Sequence, residues 1–386
     1  MTLRIDPSLP GELSRFGGET ISKCFNCGNC TAVCALSRDD TVFPRKHIRF
    51  LQVGAREKML SSIDPWLCYY CGGCSDTCPR QAEPGELMMA SRRWLTGMYD
   101  WTGLSRLMYK SHVWELGALL AVAALVLLLF TIPSDFGFGL LQKHPEAREK
   151  VALEFFAPKD VVHIGDLILA GFLSFFLLSN AGRMFRFATR GKKIPLEAYI
   201  LELKEFVVHF ITQKRWKECD NDNTRHWLRH VFLVTGYGTM FALVVLFLPW
   251  FQVEDRSFHW TSLLGYYSTL VLLGTTSWIF FDRLQKKNQI HKHSHLSDWL
   301  FIALLFLTSV TGILLHLCRL LDLAMPTYWI YMIHLMIAVA MLAIEVPFGK
   351  WSHLFYRPLA IYISRVQARA DLKAARTEPV ASRAAA

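Results

Sequence analysis

Cys68-Tyr69-Tyr70-Cys71-Gly72-Gly73-Cys74-Ser75-Asp76-Thr77-Cys78-Pro79 decides how this chain is read. Three cysteines recur at every third position, and a fourth follows after three further residues. The same pattern stands upstream as Cys24-Phe25-Asn26-Cys27-Gly28-Asn29-Cys30-Thr31-Ala32-Val33-Cys34. Together the runs use eight of the ten cysteines. This is the bacterial spacing for a pair of [4Fe–4S] clusters. Three closely spaced thiolates wrap one cubane, while the fourth begins the return segment and reaches the other cluster. One cluster is therefore expected on Cys24, Cys27, Cys30 and Cys78, the other on Cys68, Cys71, Cys74 and Cys34. Gly28, Gly72 and Gly73 are expected to let the backbone bend and turn its N–H groups toward sulfur.

Two other chemistries use cysteine clusters. Disulfides need an oxidising compartment, and residues 1–23 mix both charges without the apolar core of a secretion signal. Zinc sites take four ligands, usually as two pairs, and do not call for a third evenly spaced cysteine. The remaining Cys219 and Cys318 have no partner spacing and read as ordinary thiols.

Moving outward, the composition is lopsided. Of 386 residues, 52 % are hydrophobic and 19 % charged, and the apolar excess lies after residue 112. About the first hundred residues read as a polar domain too small for a large core, stapled by its clusters. Six later stretches, near 113–132, 161–182, 230–251, 261–281, 298–318 and 327–347, can each cross a hydrocarbon layer of roughly 30 Å, which takes about 20 residues of helix. The fold class is thus mainly α: a small helical dicluster domain (1–105), a six-helix membrane bundle (106–366) and a flexible tail (367–386).

The net charge of +10 does not lie on one aromatic-interleaved face, which argues against nucleic acid. It lies in particular loops. Arg183, Arg186, Arg190, Lys192, Lys193, Lys204, Lys214, Arg215 and Lys217 fill the segment 183–229. Arg283, Lys286, Lys287 and Lys292 follow the fourth span, and Lys350, Arg357, Arg365 and Arg369 the sixth. The intervening loops are poor or balanced in charge. By the positive-inside rule, both termini and the N-terminal domain face the cytoplasm, where thiols stay reduced. The expected location is a bacterial cytoplasmic membrane, crossed six times. The stretch 196–217 places Leu196, Tyr199, Ile200, Leu203, Phe206, Val207, Phe210 and Ile211 at helical spacing. It reads as an interfacial helix or as a plain connector.

Fourteen histidines need sorting. His291, His293 and His295 read as a solvated basic loop, and His47, His112, His144, His209 and His259 lie in polar or boundary contexts. His163, His230, His316 and His334 fall at or within spans, where ionisable groups are rare and usually functional. His353 follows the last span. Membrane bundles hold haem b between two such imidazoles. His230 and His353 belong to the cytoplasmic end, while His334, His316 and His163 share the outer end. His334 and His353 are separated by about 28 Å if helical throughout, at 1.5 Å per residue, which suits one haem near each leaflet. Pro347 and Gly349 interrupt that helix.

With these residues in view, the first hundred positions resemble the iron–sulfur C-type subunits of heterodisulfide reductases. The remainder resembles the cytochrome b subunits of heterodisulfide reductase and respiratory nitrate reductase. The marks are Arg229-His230, Asp298-Trp299-Leu300-Phe301 with Thr311-Gly312, and His334-Leu335, Pro347-Phe348, His353 and Tyr356-Arg357-Pro358. In fused order and length the chain resembles the C-type subunits of quinone-interacting membrane-bound oxidoreductase complexes of sulfate reducers. The resemblance implies two haems b, a menaquinone pool, two soluble flavin and iron–sulfur partner subunits, and exchange with adenylylsulfate reductase. It also implies that His230 and His353 hold the inner haem and that His334 is one ligand of the outer. The chain departs from the nitrate reductase pattern at Met240, where a second histidine belongs, so either His163 or His316 replaces it or the outer site differs. Quinone is expected beside the outer haem. Asp166, one turn from His163, either accepts a quinol proton, orients the imidazole, or reaches toward the surface.

No nucleophile, acid–base triad or glycine-rich nucleotide loop is visible, so substrate chemistry falls to partners. The main expectation is a membrane electron-transfer subunit. Rivals are the quinone-linked reoxidation of another flavoprotein, of the tricarballylate, citrate or heterodisulfide type, and a membrane redox sensor.

Overall fold

A computed structural model describes residues 4–37, 42–215, 223–254, 258–286 and 289–377. Cys219 and Lys217 lie outside the described residues. No strand occurs among those described; the architecture is helical throughout.

The two cysteine runs fold as near copies. Each ends its loop in a four-residue helix, Asn29–Ala32 in the first and Gly73–Asp76 in the second. A left-handed glycine opens each helix, Gly28 at φ 100° and Gly72 at φ 89°. Two residues earlier, Asn26 (φ 65°) and Tyr70 (φ 59°) are left-handed as well. That conformation costs a non-glycine residue roughly 1–2 kcal/mol. It turns the Asn26 and Tyr70 N–H groups onto the sulfurs of Cys24 and Cys68, both at 3.4 Å. The expectation for Gly73 is not met: it begins an ordinary helical turn, and the second bend falls on Tyr70 instead.

Six helices are long and apolar enough to cross a membrane: His112–Thr131, Lys159–Thr189, Thr224–Val245, Trp260–Gln285, Leu296–Leu320 and Ala324–Glu345. Much of their outward surface is apolar and not covered by protein. In the second span only 6 % of the most apolar stretch is buried inside the chain. Large apolar surfaces of this kind need a covering, which a lipid layer supplies.

Several boundaries differ from the hydropathy reading, and the second span runs on to Thr189. The third span begins at Thr224 and stops at Val245, so His230 lies well inside it rather than opening it. The polar first turns are tolerated because the fourth span receives them. Arg225 and Arg229 stack over Trp278 at 5.0 and 5.6 Å, and Arg229 Nη1 pairs with Asp282 at 2.7 Å. Beyond Val245 the chain turns into a separate short helix, Leu248–Phe251, with Pro249 in its first turn. The sixth span ends at Glu345, and His353 opens a new helix, His353–Thr377. The tail expected to be flexible from 367 is therefore helical through Thr377.

That C-terminal helix pairs with Leu196–Thr212. Arg369 Nε meets Glu202 at 2.5 Å, Lys373 Nζ meets Glu197 at 2.8 Å, and the Tyr362 hydroxyl donates to the Tyr199 carbonyl at 2.9 Å. The other face of Leu196–Thr212 leaves Leu196, Ile200, Leu203, Val207 and Ile211 exposed. A helix with one protein-packed face and one bare apolar stripe suits an interface between water and lipid.

The N-terminal domain is not a separate bead. Its core runs without a break into Ala181, Met184 and Ala188 at the end of the second span and into Tyr356, Leu359 and Ile363 of the C-terminal helix. Trp66, Tyr99 and Tyr356 form the centre of this joint, with ring centroids 5.1 Å (Trp66–Tyr356) and 5.6 Å (Tyr99–Tyr356) apart. At the opposite end of the bundle, residues 133–160 fold back as a cap, burying Phe156 against Tyr328 and Tyr331.

Candidate functional site

Thiols of the two runs lie within electrostatic reach of one another. Cys30 lies within electrostatic reach of Cys24, Cys27 and Cys78. Cys34 lies within reach of Cys68 and Cys71, and Cys74 of Cys68, Cys71, Cys34 and Cys30. Burial pushes the Cys34 thiol up to about 11, and raises Cys30, Cys68 and Cys74 too. Buried thiols so arranged become thiolates only beside strong positive charge, which iron provides. The backbone is already oriented for sulfur: besides Asn26 and Tyr70, the Ala82 N–H points at Cys78 Sγ, 3.3 Å away. The donor set fits iron–sulfur clusters.

Each loop is pinned from behind. Gln52 Nε2 donates to the Cys24 carbonyl at 2.5 Å, and Arg45 Nε to Asn26 Oδ1 at 2.8 Å. The second loop is held by two guanidinium groups. Arg92 donates to the Cys68 carbonyl and to that of Pro65. Arg357 Nη2, arriving from the C-terminal helix, reaches the same Cys68 carbonyl at 3.3 Å. Burial brings the Arg357 guanidinium down to about 9, with Arg92 adding to that and Cys68 opposing it. It stays cationic at neutral pH.

One turn before Arg357 on the same helix stands His353. Its Nδ1–H donates to the Lys350 carbonyl at 2.5 Å, which leaves Nε2 with its lone pair outward. Burial lowers its pKa to about 3; the Lys350 carbonyl opposes this, while the charges of Lys350, His230 and Arg357 add to it. A neutral imidazole with a fixed tautomer is the form that ligates iron. His230 from the third span lies within electrostatic reach of it.

The outer histidines are arranged differently. His334 Nδ1 hydrogen-bonds Thr311 Oγ1 at 2.9 Å, and its ring lies over Gly312, where an added Cβ would come within 3.3 Å of Cε1. The Thr308 backbone is a second partner of this ring. His316 Nε2 instead meets the Tyr266 hydroxyl at 2.7 Å, and His163 Nε2 meets the Val245 carbonyl at 3.2 Å. Both imidazoles thus direct Nε2 to a partner other than His334. Asp166 is half-buried, within electrostatic reach of His163 and Tyr331.

Comparison with known proteins bears on the N-terminal part. A family model described as a 4Fe-4S dicluster domain matches residues 20–82. The N-terminal domain is a 4Fe–4S dicluster domain. The relatives it matches include C-type subunits of heterodisulfide reductases. One, from Archaeoglobus profundus, is described as resembling that type; it is 34 % identical over 88 residues, covering 22 % of this chain and 47 % of that protein. The C-type subunit of the H(2):CoB-CoM heterodisulfide,ferredoxin reductase of Methanothermobacter marburgensis is 30 % identical over 88 residues, covering 23 % and 48 %. The C-type iron-sulfur subunit of the CoB--CoM heterodisulfide reductase of Methanopyrus kandleri is 30 % identical over 73 residues, covering 19 % and 38 %. The chain thus spans about half the length, or less, of these relatives. No solved structure matches it.

Two features of the dicluster domain's seat escape a reading of sequence alone. The histidine loop is not simply solvated: His291 is buried, with its pKa lowered to about 4 by that burial and by Arg283 and Arg229. His295 caps the fifth span through Ser297, and His293 Nε2 approaches Glu83 of the dicluster domain at 3.4 Å. Beneath this loop lies a buried polar knot. Arg93 binds Glu86 at 2.5 Å and the Phe16 carbonyl at 2.7 Å, and Lys350 pairs with Asp298. Glu115 and Glu345 lie beside it, 2 % and 0 % exposed. A carboxylate one turn into a span was a readable signal for Glu115; for Glu345, at the far end of another span, only the fold supplies the partner.

Proposed function

We propose that the chain is a membrane electron-transfer subunit linking a quinone pool to soluble redox partners through haem b and two [4Fe–4S] clusters. The observation that carries this reading is the junction at the C-terminal helix. His353, a neutral buried imidazole, and Arg357, bonded to the Cys68 carbonyl, stand one turn apart. A short path of covalent and hydrogen bonds therefore joins the membrane bundle to the second cysteine loop.

When bound, haem and clusters supply one-electron chemistry, their potentials set by ligation, burial and hydrogen bonding. The chain's part is to hold and tune them. Cys24, Cys27, Cys30 and Cys78 hold one cluster, and Cys68, Cys71, Cys74 and Cys34 the other; the reach of Cys30 to Cys78 and of Cys34 to Cys68 supports this assignment. His230 and His353 hold the inner haem. His334 is one ligand of an outer haem, with His163 or His316 as the second. Menaquinone binds near that end, beside Asp166. The basic loops favour a bacterial inner membrane with both termini and the dicluster domain on its cytoplasmic side.

Two flavin and iron–sulfur subunits are the expected partners, with adenylylsulfate reductase beyond them. The relatives' names favour a second version, in which the partner is a flavoprotein of the heterodisulfide type. Purifying the intact complex in mild detergent separates the two by the flavoprotein that accompanies the chain. In that complex a menaquinol analogue is expected to reduce haem first and the clusters after it. A complex without haem in the pyridine haemochrome assay, or one whose haem ignores quinol, overturns the quinone-linked reading.

A further inference from the structure

Glu115 and Glu345 come from the first and the last of the spans and meet at the joint between bundle and dicluster domain. Glu115 Oε2 accepts the Ser297 hydroxyl at 2.9 Å, and Glu345 Oε2 accepts the Lys350 N–H at 3.0 Å. The two carboxyl groups lie within hydrogen-bonding contact of each other. Glu345 Oε1, fully enclosed, has no other donor in reach among the described residues. Space for the Glu345 carboxyl is made by Gly349, where an added Cβ would collide with Oε2.

The one fixed cation that acts on Glu345, Lys350, is shared with a closer partner. Lys350 commits its ammonium to Asp298, and Arg93 commits its guanidinium to Glu86 and the Phe16 carbonyl. Of the other groups facing it, Tyr109 is neutral and Asp298 is a further acid. Two carboxylates in contact inside protein cannot both ionise, and one proton between them is the resolution. That proton also supplies the donor that Glu345 Oε1 lacks. The nearest exposed titratable group is His112, whose Nδ1 stands 3.9 Å from Glu115 Oε2, a gap one water can bridge, and whose side chain is 47 % exposed.

We propose that Glu115 and Glu345 form a proton-holding site that exchanges with water through His112 and takes up a second proton when the dicluster domain accepts an electron. The inference rests on the electron-transfer reading. One electron enters a cluster from an external reductant. One proton passes from water to His112 and on to the remaining carboxylate, forming an O–H bond and leaving hydroxide in bulk. The added negative charge on the cluster is thereby balanced inside the joint.

The test uses the full chain in its complex, reduced with dithionite through mediators. Infrared difference spectra are expected to show a new carboxylic-acid carbonyl band on reduction, shifted in deuterated water. Glu115→Gln and Glu345→Gln, which keep size, are expected to remove it. His112→Phe, a surface change that spares the fold, is expected to slow its deuterium shift. The cluster potential is expected to fall with rising pH in wild type and to lose that dependence in both glutamine variants. Clusters that reduce normally without the band, or with unaltered pH dependence in the variants, overturn the proton site alone. Clusters that accept no electron at all overturn the electron-transfer reading and this site with it.

Discussion

Cys34 belongs to the first run in sequence and lies within electrostatic reach of Cys68 and Cys71 of the second. Replacing it with Ser is expected to alter the paramagnetic resonance signal of the cluster on Cys68, Cys71 and Cys74, while sparing the other. Alteration only of the cluster on Cys24, Cys27 and Cys30 would contradict crossed ligation. Arg357 offers a second test at this scale. A fixed cation near a cluster favours the reduced, more negative form, so Arg357→Gln is expected to lower that cluster's potential in a redox titration. Arg357→Lys keeps the charge and is expected to restore most of it. His353→Ala is expected to remove one haem of two in the haemochrome assay; an unchanged haem content rules out the inner ligand pair. The cysteine loops were legible because their ligand spacing is local, set by residues two and three apart. The left-handed Tyr70 was not, since nothing in its side chain announces that bend; its hydroxyl is fixed by Glu86, sixteen residues on, at 2.7 Å.

Helices were legible by their apolar content and misread at their ends. Arg225 and Arg229 would ordinarily sit outside a span, yet Trp278 and Asp282 on the neighbouring helix accept them. Hydropathy along one stretch of sequence cannot see such a partner. The C-terminal helix shows the same blindness: its Ala and Arg content reads as a fraying tail until Glu197 and Glu202 are placed beside Lys373 and Arg369. Within the dicluster domain, Asp6 ties the first segment to the helix Arg56–Leu60 through Arg56 Nε at 2.8 Å. The Ser8 hydroxyl above all, then Arg56, lowers its pKa to about 2 from 3.8. A depressed carboxylate pKa stabilises the fold above the unfolded value and loses that contribution as pH falls through the folded one. Asp6→Asn is therefore expected to flatten the acid limb of domain unfolding between about pH 4 and 2, followed by tryptophan fluorescence.

At the scale of the molecule, the sequence boundary near residue 105 marks a change of composition and does not divide the packing. Trp66, Tyr99 and Tyr356 knit the dicluster domain to the bundle, and Trp66→Ala is expected to cost about 3–5 kcal/mol, as large aromatic truncations in cores do. The loss is read as increased protease access at the dicluster domain, with the spans remaining protected in detergent. The division into soluble and membrane parts was visible in composition, but the shared core was not, because its members are separated by most of the chain.

Tyr356 and Arg357 lie beyond all six spans, yet they close over Trp66 and Cys68, which leave the ribosome early. Until the C-terminal helix emerges, the floor of the second cysteine loop lacks its last cover. Synthesis order therefore leaves a loading interval in which iron and sulfide carriers meet an open Cys68 loop, and the arrival of that helix seals it. A chain stopped before His353 is expected to keep exchanging cluster iron with a chelator, whereas the full-length protein holds it.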